Sequence, residues 1–302
     1  MLNFNYSGFL PKFNPPCYNQ TMQVVFFILL FVIGTCFGSF LCCQARRLHI
    51  REQERQDKLI KAPKTSPKVK KKSLGQRSIC LHCETTLKWY DNIPIVSWLL
   101  LRGKCRKCGH SIGLAEILSE IGVGLAFLAL GTTFNFMVAT PLEWTIFVAT
   151  LILTLILSFL AIYDGLYGEL PTLFLIIAIV CATILLILKE WSLLLMSPLS
   201  YENFLAPILS VAILGGLYLV LYLVSKGKWV GDGDWLLGLA IGLALMSPWL
   251  ALITLFLSNL LATIVIYPST RKRKQKRIHF GPFMVIGFVI ALTCSDFFIS
   301  ML

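Results

Sequence analysis

Long apolar runs make up most of the chain, and short polar segments separate them. The runs lie near residues 23–43, 113–133, 144–163, 171–188, 204–225, 235–247, 249–267 and 282–301. A helix needs about 20 mostly apolar residues to cross the ~30 Å hydrocarbon core of a bilayer. The pattern therefore predicts an all-α polytopic membrane protein with about eight transmembrane helices.

The run near 235–247 leaves the number of spans open between seven and eight. As a helix it would be only about 18 Å long, and Pro248 then interrupts the pattern. If this run and the next are two spans, the basic segment "RKRKQKR" (271–277) lies on the same side as the basic loop 46–77. The positive-inside rule therefore favours eight spans, with both termini outside and both basic segments in the cytoplasm.

Composition agrees with this pattern. The chain has 302 residues, of which 57% are hydrophobic and only 14% are charged, and its mean hydropathy is +0.76. These values exclude an ordinary soluble domain. A net charge of +12 would suit a nucleic-acid partner, but the basic residues cluster in loops between spans. The positive-inside rule explains that clustering, so we expect the lipid bilayer and no nucleic acid as a partner.

Four cysteines in the basic loop form two CxxC pairs. They are Cys80, Cys83, Cys105 and Cys108, with 21 residues (84–104) between the pairs. A cytoplasmic loop is reducing, which favours a metal over disulfides or free thiols. Four thiolates at this spacing suit tetrahedral zinc in a closed, structural site. The fold prediction therefore includes a small cytoplasmic zinc-binding segment between the first two transmembrane helices.

Two aspartates at the ends of apolar runs are candidates for catalysis. Asp164 ends the third predicted span and Asp234 begins the sixth, within "GDGDW" (231–235). The predicted topology places both on the cytoplasmic face. Two neighbouring carboxylates that share a proton can act as base and acid in peptide hydrolysis. The alternatives are that each aspartate only marks the end of a span, or that intramembrane acids serve a transporter or secretion scaffold.

Five stretches, in order along nearly the whole chain, carry a family resemblance. They are "GSFLCCQARRL" (38–48), "CLHCETTLKWYDNIPIVSWLLLRGKCRKCGHSI" (80–112), "DGLYGELP" (164–171), "GDGD" (231–234) and "IHFGPF" (278–283). Together they resemble the bacterial type IV prepilin peptidases, the prepilin leader peptidase/N-methyltransferase family of GxGD-type membrane aspartic peptidases. The cysteine-bearing stretch is the most specific of the five.

The resemblance implies a function and a set of site residues. Asp164 and Asp234 fall on the catalytic positions, Asp232 falls on a variable position, and the four loop cysteines fall on the zinc positions. Glu120 falls on a membrane-proximal glutamate, which either orients a partner in the site or bonds a neighbouring helix. Such an enzyme removes the short basic leader of prepilin or pseudopilin precursors at the cytoplasmic face of the inner membrane. It then methylates the new N-terminus with S-adenosylmethionine; cleavage without methylation is the alternative.

The chain departs from the family pattern at several positions. Cys42 replaces an asparagine, Thr172 an aspartate and Leu236 a lysine, and Glu116-Ile117 replaces Tyr-Pro. Loss of the lysine removes a cation that can hold an aspartate ionised.

We expect three parts in the chain: residues 1–45 with the N-terminal tail and first span, the basic loop 46–112 with the zinc segment, and a seven-helix membrane peptidase domain over 113–302. Within the loop, "WYDNIP" (89–94) is expected either to anchor at the membrane interface through Trp89 and Tyr90, with a turn at Pro94, or to bind substrate or methyl donor. The following "IVSWLLL" (95–101) is expected to lie in the membrane surface.

Overall fold

A computed structural model describes residues 17–59, 78–80, 82–83, 85–196, 201–228, 230–270 and 279–300. Regular structure in these ranges is helical; extended backbone pairs only at two isolated bridges, Ile79 with Thr86 and Lys104 with Ser111. The prediction of an all-α fold is confirmed. The basic segment 271–277, which oriented the predicted topology, lies outside the described residues.

Eleven α-helices are present in the described part of the chain. They are α1 (Cys17–Leu59), α2 (Val96–Leu100), α3 (Leu114–Thr132), α4 (Pro141–Tyr167), α5 (Thr172–Met196), α6 (Tyr201–Val211), α7 (Leu217–Ser225), α8 (Asp232–Leu245), α9 (Pro248–Thr270), α10 (Gly281–Thr293) and α11 (Ser295–Ser300). A 3₁₀ turn covers Trp89–Asn92, and a π-helical turn, Ala212–Gly216, joins α6 to α7 without a break.

All eight predicted apolar runs are helical, and six of the described helices are long and apolar enough to cross a membrane. These six spans are Thr21–Asp57, Leu114–Thr132, Pro141–Tyr167, Thr172–Leu193, Leu205–Ser225 and Pro248–Val265. The other two runs form the shorter helices α8 and α10, of 14 and 13 residues. Each is only about 20 Å long, which is less than the hydrocarbon thickness.

The short helix α8 lies at the centre of the bundle and contacts α5, α6, the π turn and α10. Its residues Leu237, Ala240 and Ile241 are fully buried. Protein rather than lipid surrounds most of the helix, so it does not need the length of a lipid-facing span. This arrangement holds the first turn of α8, which contains Asp234, within the interior of the protein.

Glycines allow close contact between α8 and the preceding helices. A Cβ atom at Gly242 would lie 2.9 Å from the Cα of Val211, and one at Gly238 would lie 2.9 Å from the carbonyl oxygen of Leu214. The buried hydroxyl of Ser210 donates a hydrogen bond of 2.8 Å to the carbonyl oxygen of Gly242. Small residues of this kind let helix backbones approach closely where lipid weakens the hydrophobic contribution to packing.

Replacement of Gly242 by alanine should destabilise the protein, because the added methyl group meets backbone atoms that cannot move independently. Overpacking of this kind costs about 1–3 kcal/mol. We expect the midpoint of thermal unfolding in detergent to fall by several degrees. Gly122→Ala is the matched control, since a Cβ there meets no atom within 4 Å. An equal fall in both variants would contradict the packing role of Gly242.

Candidate functional site

Asp164 lies in the last turn of α4 and is tied to the start of α10. Its side chain is buried, with 5% of the residue exposed. The carboxylate Oδ2 accepts a hydrogen bond of 2.8 Å from the backbone N–H of Gly281, the first residue of α10. The first N–H groups of a helix have no partner within the helix, so the carboxylate and the helix end satisfy each other. A Cβ at Gly281 would lie 2.9 Å from this oxygen, so glycine permits the contact.

Asp234 lies in the first turn of α8. Its Oδ2 accepts a hydrogen bond of 2.9 Å from the backbone N–H of Gly231, the residue that caps this helix. A side chain that reaches back to the capping residue in this way stabilises a helix start. Asp234 is 9% exposed, whereas its neighbour Asp232 is exposed to solvent.

A glycine contact joins the two aspartate segments. A Cβ at Gly233 would lie 2.7 Å from the Cβ of Leu170, so only glycine lets α8 approach the chain that follows Asp164. The end of α4 that carries Asp164 and the start of α8 that carries Asp234 therefore meet at this contact. Two buried carboxylates that share one proton can supply both an acid and a base.

The four cysteines of the loop form one cluster. Their sulfur atoms all lie within 4.8 Å of one another, and the Cys80–Cys108 and Cys83–Cys105 Sγ···Sγ distances are both 3.9 Å. Four sulfurs about 2.3 Å from a tetrahedral zinc ion are separated by about 3.8 Å. The cluster therefore fits a metal ion of this size, whereas the separations are far longer than a disulfide bond.

Local hydrogen bonds favour the thiolate form that binds metals. The hydroxyl and the backbone N–H of Thr85 hydrogen-bond the sulfur of Cys83 and lower the pKa of this thiol to about 6. The backbone N–H groups of Cys108 and Lys107 lower the pKa of the Cys105 thiol in the same way. Because the thiolate is the metal ligand, these bonds favour the ligand form at Cys83 and Cys105, whereas burial and the neighbouring sulfurs raise the pKa of Cys108 to about 11.

The chain has relatives of known name along most of its length. A family model described as the Bacterial Peptidase A24 N-terminal domain matches residues 32–134. The prepilin leader peptidase/N-methyltransferase of Pectobacterium carotovorum subsp. carotovorum is 30% identical over 295 residues, which cover 92% of this chain and 96% of that protein. The chain belongs to the prepilin leader peptidase/N-methyltransferase family.

Other relatives agree with this assignment. The type 4 prepilin-like proteins leader peptide-processing enzyme of Escherichia coli O78:H11 is 28% identical over 276 residues, 90% of this chain and 95% of that enzyme. The Myxococcus xanthus prepilin leader peptidase/N-methyltransferase is 38% identical over 105 residues, which cover 35% of this chain and 26% of that protein. No solved structure matches the chain significantly.

Glu120, which the family resemblance singles out, joins the zinc segment to the membrane helices. Its buried carboxylate accepts a hydrogen bond of 2.7 Å from the backbone N–H of Ile95, the residue that precedes α2. Ile95 has a φ of +61°, a conformation that is strained for a β-branched residue. Of the two roles expected for Glu120, the geometry favours a bond to a neighbouring segment.

Further polar contacts support the same junction. Glu116, at a position where the chain departs from the family pattern, pairs with Arg46 of α1 at 2.5 Å. Within the zinc segment, Oδ1 of Asp91 accepts a hydrogen bond of 2.9 Å from Nε of Arg106 and forms an ion pair at 2.9 Å with Nη2 of the same side chain. The second cysteine pair is thereby linked to the "WYDNIP" stretch. Asp91 and Arg106 thus tie two parts of the zinc segment together, Glu120 ties that segment to α3, and Glu116 ties α3 to α1.

Sequence reasoning did not assign a role to His279, which the structure places beside Asp164. The Nδ1 atom of this histidine lies 3.9 Å from Oδ1 of Asp164. His279 is the second residue of "IHFGPF" (278–283), a stretch that contributes to the family resemblance. The position of the motif at the start of the last span was the only signal that could have indicated this residue.

The hydrogen bond between Glu120 and Ile95 should hold the zinc segment against α3. Glu120→Ala leaves the Ile95 N–H without its partner, and loss of a charged hydrogen bond costs about 1.5–3 kcal/mol. We expect limited trypsin digestion within residues 102–107 to become roughly tenfold faster or more. Glu120→Gln retains an acceptor oxygen and should stay close to the wild-type rate. Equal digestion of all three proteins would contradict the proposed link.

Proposed function

We propose that the chain is an integral membrane aspartic peptidase that removes the leader of type IV prepilin-like precursors, with Asp164 and Asp234 as its catalytic residues. The names of relatives that match about nine-tenths of the chain support the substrate class and the processing reaction. One observation carries the aspartic mechanism: two buried aspartates from distant parts of the chain lie on segments that meet at the contact between Gly233 and Leu170. Their pairing is the arrangement that proton-sharing carboxylates need.

The hydrogen bonds suggest how the pair divides the chemistry. In each aspartate, Oδ2 accepts a hydrogen bond from a backbone N–H. The donor is Gly281 for Asp164 and Gly231 for Asp234. The other oxygen of each carboxyl group is then available for water or substrate. The ionised carboxylate takes a proton from the water that attacks the scissile carbonyl carbon, and the protonated partner donates to the carbonyl oxygen. Collapse of the tetrahedral intermediate returns a proton to the leaving amine.

The interior of the spans supports an enzyme over a transporter or scaffold. In the described spans, several buried hydroxyls bond a carbonyl oxygen of their own helix, as Thr154 and Ser258 do at 2.8 and 2.6 Å. The buried acids Glu120, Asp164 and Asp234 all lie at helix ends of the face to which the zinc segment attaches. A chain of polar groups through the spans, as an ion path requires, does not occur among the described residues.

We propose that the metal is zinc and that it stabilises the loop. Cys80, Cys83, Cys105 and Cys108 would hold it, and a closed tetrahedral thiolate site supplies folding free energy rather than catalysis.

We also propose that the chain is divided into three parts, residues 1–45, 46–112 and 113–302. Its first boundary falls within the continuous helix α1.

We further propose that the protein methylates the new N-terminus with S-adenosylmethionine, since the relatives carry the name N-methyltransferase. Mass spectrometry of the processed product tests methylation, because an unmodified N-terminus would establish cleavage alone.

The basic loops support a cytoplasmic location of the zinc segment and the aspartate pair, in the bacterial inner membrane. The exposed side chains of Trp89, Val96, Leu99 and Leu100 support contact of the zinc segment with the membrane surface.

Removal of either catalytic carboxylate should abolish cleavage. In vesicles with a co-expressed prepilin, we expect Asp164→Asn and Asp234→Asn to lower the cleavage rate by at least about 10²–10⁴-fold, the usual contribution of an acid or base. Asp232→Asn is the matched control, because this side chain is exposed and should keep most of the activity. Wild-type cleavage by either of the first two variants would refute the assignment.

The zinc proposal predicts one metal ion per chain. Elemental analysis of the purified protein should find about one equivalent of zinc, and Cys105→Ser should lose it because three thiolates bind more weakly than four. Cys36→Ser is the control, since this exposed cysteine of α1 is not part of the cluster. Full zinc content in the Cys105 variant, or none in the wild type, would contradict the site.

A further inference from the structure

We propose that His279 is a positioning residue for the aspartate pair: as an imidazolium it stabilises the ionised form of Asp164, so that Asp164 is the base and Asp234 keeps the shared proton. This role rests on the proposed peptidase function and goes beyond it, since it assigns the two aspartates different tasks. The sequence motifs do not distinguish the two aspartates in this way. The contact of His279 with Asp164 does distinguish them.

The first observation is the unsatisfied ring nitrogen. Nδ1 of His279 is buried, makes no hydrogen bond, and faces Oδ1 of Asp164 at 3.9 Å. This separation is too long for a direct hydrogen bond but within the range of an ion pair. The side chain as a whole is 41% exposed, so the ring can exchange protons with solvent while one nitrogen stays against the carboxylate.

The second observation is that the fold makes room for this ring. Gly168 ends α4 with a φ of +73°, and a Cβ there would lie 2.6 Å from Cε1 and 2.9 Å from Nδ1 of His279. Glycine is therefore required both by the backbone conformation and by the ring. Phe280, which follows His279 in the chain, packs its ring 5.4 Å from the ring of the buried Tyr218. The histidine is thus held between two fixed neighbours.

The third observation is the asymmetry between the two carboxyl groups. Three consecutive residues surround Asp164: His279 faces Oδ1, Phe280 anchors the turn, and Gly281 donates to Oδ2. Asp234 accepts from the Gly231 N–H, and the charged groups that act on it are the carboxylates of Asp164 and Asp232. A cation beside one member of a pair and an anion beside the other favour ionisation of the first.

The sign of the pH dependence follows from the charge of the ring. The carboxylate that faces His279 is that of Asp164 in the last turn of α4. Glu169 follows Gly168, which contacts the ring, and Asp232 and Asp234 lie in the first turn of α8. A histidine carries charge at the acidic end of the physiological range and loses it as the pH rises. Its support for ionised Asp164 is therefore present at low pH, where carboxylates begin to protonate, and absent at high pH.

The test measures prepilin cleavage from pH 5 to pH 8.5 by the wild type and by His279→Gln, His279→Leu and His279→Lys. We expect the two neutral variants to lose about tenfold in kcat near pH 5.5, with KM unchanged, and less than twofold near pH 8. The pH of half-maximal rate on the acidic side should rise by about one unit, the low end of the effect of a neighbouring opposite charge. The lysine variant should keep the wild-type acidic limb, because it supplies a permanent cation.

A purely structural role for His279 would lower the rate by the same factor at every pH and would not be rescued by lysine; either result overturns the proposal. Activity of the neutral variants equal to wild type across the range would also overturn it. Absence of cleavage by the wild type refutes the peptidase function itself, and this role with it. Loss of cleavage by Asp164→Asn, together with pH-independent loss in the histidine variants, would leave the peptidase standing and remove this inference alone.

Discussion

A carboxylate cannot be placed inside a membrane protein unless its oxygens find donors, and this requirement organises the site. The cost of an unpaired buried charge is several kcal/mol or more, and the N-terminal turn of a helix is a ready source of free N–H groups. Asp164 uses the first N–H of α10, and Asp234 uses the N–H that caps α8. The first turns of two short helices, α8 and α10, thus hold the carboxylates that we propose as the catalytic pair.

Close backbone contact is the second condition, and glycine supplies it at each junction. Gly281 admits the carboxylate of Asp164, Gly233 admits Leu170, and Gly168 admits the ring of His279. A methyl group at any of these positions would meet an atom closer than 3 Å. These glycines therefore determine how closely the segments around the aspartates pack, rather than merely how flexible the chain is.

The zinc segment and the peptidase helices are joined by polar contacts at the end of the bundle where Glu120 lies. Glu120 bonds the strained backbone at Ile95, and Glu116 pairs with Arg46. Glu116 stands where the family pattern has another residue, yet it makes an ion pair that ties α3 to α1. Leu236 stands where the family pattern has a lysine beside Asp234, and His279 lies beside Asp164, the other aspartate.

Sequence alone determined the helical class, the eight apolar runs and the grouping of the cysteines, because hydropathy and spacing are local properties. It also indicated Asp164 and Asp234, since charge is conspicuous at the end of an apolar run. Only the tertiary structure decided that α10 is short, that Glu120 bonds Ile95, and that His279 faces Asp164. Those features depend on which segments meet, and a contact between distant segments leaves no periodic trace along the chain.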